Sequence, residues 1–136
     1  EVFLSYRRWQ QEQLAGWRRG RMLTIDYGEE YPALYRRRMR GTLRAYCRQM
    51  RFEGDEVYAR PGRQDLTADV NFTDLRHWGD ELGLTVASYG SQADFLRRWL
   101  PQATLRNVSR DRHLAALLDS DGAGGAFKAL EQTRVL

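Results

Sequence analysis

Three groups of residues in this sequence have types and spacings that could do chemistry. The first is Asp26. It closes the apolar run Arg21-Met22-Leu23-Thr24-Ile25 and precedes Tyr27-Gly28. In open α/β sheets ligands bind outside the carboxyl ends of the strands, where a carboxylate can hold a cation or take a proton. The plainer alternative is an Asp that bonds its own turn, with Gly28 present for conformation. The second group is Thr42, Arg44, Tyr46 and Arg48, which alternate along one polar strand face. Two guanidiniums flanking a phenol suit an anionic or planar partner, and they equally suit a solvated edge strand. The third is Asp65 with Asp69. These share a face as strand residues two steps of period two apart, or as helix residues at i and i+4. Paired carboxylates can grip a guanidinium, shift each other's pKa or bind a hard metal. They could instead pair with the neighbouring Arg60 and Arg63.

Two further features carry less. A phosphate-binding glycine loop follows a strand and opens a helix, whereas Gly122-Ala123-Gly124-Gly125 follows a helix and opens a strand. The basic run Arg36-Arg37-Arg38 with Arg40, beside Tyr31 and Tyr35, could touch RNA or an acidic protein, or simply be an exposed loop.

These residues need a frame. Val2, Tyr6, Trp9 and Trp17 predict an amphipathic helix of about four turns ending near Gly20. Arg21 to Ile25 reads as a short buried strand that exits sharply at Asp26-Tyr27-Gly28. Alternation predicts strands from Gly41 to Arg48 and from Asp65 to Asn71, with irregular chain from Phe52 to Arg60 and a turn at Pro61-Gly62. Thr73 is positioned to cap a helix carrying Leu75, Trp78 and Leu82 inward and ending at Gly83. Leu84 to Ser88 is a strand. Ser91-Gln92-Ala93-Asp94 resembles a capping box, and its helix stops at Pro101. Ser109 opens another helix, Asp119 to Gly125 is a loop, and Phe127 to Arg134 is a final strand. Helices alternating with strands give an α/β fold.

Composition narrows the classes. The 136 residues allow one domain or a piece of a larger one, and 42% hydrophobic with 29% charged is a globular composition. No apolar run approaches the roughly 20 residues of a membrane helix. The chain opens mid-pattern at Glu1-Val2-Phe3, which reads as a cut end. Cys47, the one cysteine, cannot form an internal disulfide, and with His77 and His113 it cannot build a zinc site of ordinary spacing, so no metal is expected. A reducing, cytoplasmic setting fits. The net charge is +4, and Lys128 is the only lysine among 22 basic residues. Arginine binds phosphate and carboxylate bidentately, but the 18 acids are interspersed, which disfavours nucleic acid as a partner.

Three ordered segments resemble the MidA-type SAM-dependent methyltransferases, relatives of the mitochondrial complex I assembly methyltransferase. They are Leu23-Thr24-Ile25-Asp26-Tyr27-Gly28, Gly41-Thr42-Leu43-Arg44-Ala45-Tyr46 and the most specific block, Pro61 to Phe72. Gln92 with Phe95-Leu96, and Gly125 to Leu130, are similar to later family segments. The resemblance implies the C-terminal portion of a class I, Rossmann-like fold over residues 1–136. Met22 to Ile25 would be the fifth strand, Leu84 to Ser88 the sixth and Phe127 to Arg134 an antiparallel seventh. An insertion at about 29–72 would lie beside the active site. It implies S-adenosylmethionine as cofactor, bound mainly by residues not in this chain, and a protein arginine as acceptor, with a mitochondrial location in a eukaryote. Asp26, Asp65 and Asp69 would be the catalytic carboxylates, with Tyr27, Arg44 and Tyr46 binding the substrate. Gln49 stands where the family often has His, and Asn71 where it often has Asp. The competing expectation is a non-catalytic protein- or RNA-binding module on a methyltransferase scaffold. An incomplete sheet would expose an apolar edge and favour a homo-oligomer.

Overall fold

The computed structural model describes residues 2–36 and 38–135; Glu1, Arg37 of the basic run, and Leu136 lie outside them. Two sheets organise the chain. The larger has four strands in the order β5-β1-β7-β6, formed by β1 (Gly20–Glu29), β5 (Val70–Asn71), β6 (Thr85–Ser91) and β7 (Phe127–Arg134). β7 runs antiparallel to both β1 and β6, and β5 runs parallel to the end of β1. The expected strands at Leu84 to Ser88 and Phe127 to Arg134 are therefore present, the last with the expected bounds and direction. The fold is mixed α/β, as expected. The smaller sheet, order β3-β2-β4, lies inside the predicted insertion and comprises β2 (Arg44–Cys47), β3 (Met50–Glu53) and β4 (Asp65–Thr67).

One face of the large sheet is covered by α1 (Leu4–Leu14) and α2 (Phe72–Glu81). Phe72, Leu75 and Trp78 of α2 meet Leu130 of β7 in the core, with Phe3, Tyr6, Val70, Val86 and Tyr89 packed around them. Gln10 and Leu14 of α1 are buried, and Gln10 reaches the Met22 sulfur at 3.9 Å. The Arg134 guanidinium donates to the carbonyls of Leu14, Trp17 and Leu82, tying the ends of both helices to the last strand. The opening helix is shorter than expected: it stops at Leu14, and Trp17 lies beyond it against Gly20, already the first residue of β1. The other face of β1 is bare, with Leu23 and Ile25 exposed. From Gly20 to Tyr27, β1 pairs only with β7, and no strand of the described residues pairs with its other edge.

The remaining helices are short. Ser91 caps α3 (Gln92–Trp99) by accepting from the Asp94 N–H at 3.0 Å, the first half of the expected capping box, while the Asp94 carboxylate accepts the Ser91 hydroxyl at 2.7 Å; Pro101 follows the end of the helix. Pro101 then serves as N-cap of α4 (Gln102–Arg106). The helix expected from Ser109 starts later. Val108–Arg110 is a 3₁₀ turn, and Asp111 caps α5 (Arg112–Leu118) by accepting from His113 and Leu114. One helical turn, α6 (Ala123–Ala126), lies in the expected Asp119 to Gly125 loop. No helix of the described residues is long and apolar enough to cross a membrane.

Candidate active site

β1 does not leave the sheet at Asp26. It continues through Tyr27 and Gly28 to Glu29, because Gly28 lets β5 approach: a Cβ there would lie 2.1 Å from the Val70 carbonyl oxygen. Gly28 thus serves a close strand contact rather than a turn. A cleft of about 410 Å³ opens at this carboxyl end, its polar groups supplied by Tyr27, Glu29, Arg38, Arg44, Asp69 and Lys128.

Asp69 is buried in the wall of the cleft. Arg44 meets its Oδ1 at 2.7 Å, Arg38 meets its Oδ2, and its N–H donates to the Thr42 hydroxyl at 3.0 Å. Burial alone would lower the Arg44 pKa, but the Asp69 carboxylate outweighs it and holds the guanidinium above its ordinary value. Tyr27 shares a hydrogen bond with the Thr67 hydroxyl. Its ring meets Phe127 edge-on at 5.6 Å, and the Arg44 guanidinium carbon lies 5.7 Å from its centroid. These contacts seat the small sheet against the end of β1.

Glu29 is the carboxylate at the strand end. Lys128 approaches its Oε2 at 3.1 Å, and the Tyr89 hydroxyl and the Glu30 N–H donate to its Oε1 at 3.1 and 3.0 Å. Partial burial pushes this carboxyl up, but those donors outweigh it and leave the pKa below its ordinary value. The Tyr89 phenol moves the other way: burial, then the Glu29 charge, raise its pKa. Beside this pair, Glu30 is matched by Arg76.

Of the residues singled out in the sequence, Tyr27, Arg44 and Asp69 come together here. Asp26 does not join them. Successive strand residues point to opposite faces, and Asp26 lies on the α1 side, where its charge helps burial to raise the Tyr6 pKa. Its carboxylate accepts the Tyr27 N–H at 2.8 Å, the local bond of the plainer alternative. Asp65 and Asp69 do not share a face. The predicted single strand breaks after Thr67, so Asp65 stays exposed in β4 while Asp69 turns inward. Tyr46, opposite Asp65 in the ladder, also points outward. The polar face from Thr42 to Arg48 is likewise discontinuous: Thr42 is buried, and Arg48 sits in the hairpin turn with a φ of 50°. Sequence reasoning missed Glu29 and Lys128. The strand pattern could have reached Glu29 had Gly28 been read as a strand residue.

The profile of a family described as "Putative S-adenosyl-L-methionine-dependent methyltransferase" matches residues 1–90. The chain belongs to this methyltransferase family. Two solved structures from Burkholderia thailandensis agree with that membership. One is a COG1565 superfamily protein bound to S-adenosyl-homocysteine, 26% identical with a TM-score of 0.72, over 98% of this chain and 36% of that one. The other is a native COG1565 superfamily protein, 26% identical with a TM-score of 0.73, over 94% of this chain and 36% of that one. The chain thus spans about a third of the length of these two COG1565 superfamily structures. No curated protein matches it.

The glycines of the Gly122–Gly125 segment serve close approach of the chain to itself. A Cβ at Gly124 would lie 2.3 Å from the Leu117 carbonyl oxygen, and one at Gly125 would lie 1.9 Å from that of Ser120. At Gly124 and Gly125 the missing side chains make room for backbone.

Proposed function

We propose that this chain is the C-terminal part of an S-adenosylmethionine-dependent methyltransferase whose acceptor is an arginine of a partner protein. Family membership, and the relative bound to S-adenosyl-homocysteine, support methyl transfer. The MidA-type resemblance supports arginine as acceptor. In this reading the cofactor is held mainly outside this chain, and the chain alone is inactive. Its own contribution is the acceptor side of the site. The observation that carries this assignment is the exposure of the Glu29 carboxylate at the end of β1: it is paired with Lys128 but is 37% exposed in the cleft, whereas the other acid, Asp69, is buried between two guanidiniums.

A guanidinium is a weak nucleophile while its charge is delocalised. Glu29 grips it and localises positive charge on the nitrogens it holds, leaving the attacking nitrogen richer in electrons. Asp69 acts on Arg44 and Arg38 instead, fixing the wall against which the acceptor packs, and Tyr27 supplies an aromatic edge. Asp26 and Asp65 have no part in gripping the acceptor in this arrangement, although the resemblance nominated both.

The test uses the whole protein that contains this chain, with labelled S-adenosylmethionine and candidate partner proteins, followed by amino-acid analysis. Methylarginine is the expected product. Glu29→Gln and Asp69→Asn should each lower turnover at least tenfold with cofactor affinity nearly unchanged, and Asp65→Asn should leave it intact. Label recovered only on other residues would reject arginine as acceptor. Full activity of Glu29→Gln would remove that carboxylate from the mechanism.

A further inference from the structure

The small sheet carries a second cleft, of about 670 Å³, whose charged lining is entirely cationic: Arg48, Arg60 and Arg63 surround Met50 and Phe52. Two turns place these arginines. Arg48 and Gln49 join β2 to β3 with φ values of 50° and 65°, so both central residues of the hairpin turn adopt a conformation that ordinarily selects Asn or Gly. Arg60 accepts a hydrogen bond from the Arg63 N–H at 3.0 Å, with Pro61 second and Gly62, at a φ of 73°, third. Those are the residue preferences of a type II turn, which holds its first and fourth residues close together. No ion pair engages any of the three guanidiniums among the described residues, whereas Arg38 and Arg44 hold Asp69 and Arg51 holds Glu53.

From these observations we propose that this cleft binds an acidic segment of a partner protein. Three arginines without counter-charges favour carboxylates, which they can take bidentately. Met50, exposed in the cleft, accommodates the side chains between them. A protein ligand is favoured over RNA because the aromatic platform is taken: the Arg60 guanidinium carbon stands 4.6 Å from the Phe52 ring centroid, over the surface on which a base would stack. β2 connects this cleft to the candidate active site, with Arg44 at one end and Cys47 at the other. Three residue steps separate them, roughly 10 Å along a strand. A partner could therefore be gripped by an acidic stretch here while another of its residues enters the cleft beside β1. The binding does not depend on methyl transfer, so it can stand if that reading fails.

The test is fluorescence anisotropy of a labelled hexaglutamate peptide against the whole protein that contains this chain, with a labelled hexauridine RNA as competitor probe. Saturable peptide binding at low salt is expected, weakening as salt rises. Arg60→Gln with Arg63→Gln should weaken it at least tenfold, and Arg48→Gln alone, in an exposed turn, at least threefold. Arg18→Gln with Arg19→Gln, which removes the same charge elsewhere, should change it less than twofold. Absence of peptide binding, equal loss in the control variant, or tighter binding of the RNA than of the peptide would each overturn the proposal. Arg48→Gln keeps the test valid should the double variant not fold.

Discussion

Glu29 is the residue whose ionisation matters most to the cleft. Its pKa is depressed in the folded chain, so its contribution to stability is fully present above the unfolded carboxylate pKa. That contribution is lost as pH falls through the lower, folded value. Replacing Glu29 by Gln removes it, so the variant's melting temperature should fall less than the wild type's between pH 6 and pH 3. Thermal melts across that range check this, and parallel acid limbs would show that Glu29 has no depressed pKa. Asp69 illustrates a different rule. A buried carboxylate that already holds two guanidiniums has little capacity for a third, so position in a cleft does not make an acid free to act.

At the level of elements, Asn71 shows how a substitution within a motif can preserve a task. It is the N-cap of α2, and its Oδ1 accepts the Thr73 N–H at 3.1 Å. Asp performs the same role, so Asn71→Asp should retain stability, while Asn71→Ala should cost about 1 kcal/mol by chemical denaturation. The sequence suggested Thr73 for this cap, but the Thr73 hydroxyl instead accepts from the Tyr31 N–H at 2.9 Å. That difference is typical of what could be read in advance. Gly83, with a φ of 79° just past α2, and the Ser91 capping box depend on local conformation, and both were legible. The end of β1 was not, because Gly28 answers to Val70, a residue far along the chain. The split between β4 and β5 was hidden for the same reason. Alternation continues from Asp65 to Asn71, yet its two halves join different sheets. Of the residues singled out in the sequence, Tyr27, Arg44 and Asp69 lie together at the cleft; the pairing of Asp65 with Asp69 assumed one strand where there are two.

Across the whole molecule, the bare flank of β1 is the dominant liability. An edge strand with exposed Leu23 and Ile25 offers both backbone groups and apolar surface to another chain. The isolated chain should therefore self-associate as its concentration rises. Leu23→Lys should shift it toward monomer in sedimentation velocity, since a charge on an edge discourages pairing. Identical sedimentation of the two proteins would show that this edge is not what brings copies together. The position of β7 has a consequence of another kind. It separates β1 from β6 in space but follows both in the chain. During synthesis, the ribosome delivers the two flanking strands long before the one that joins them, and Arg134, which secures the opening helix, comes later still. The nascent polypeptide must therefore wait, its halves unjoined, until that central piece emerges.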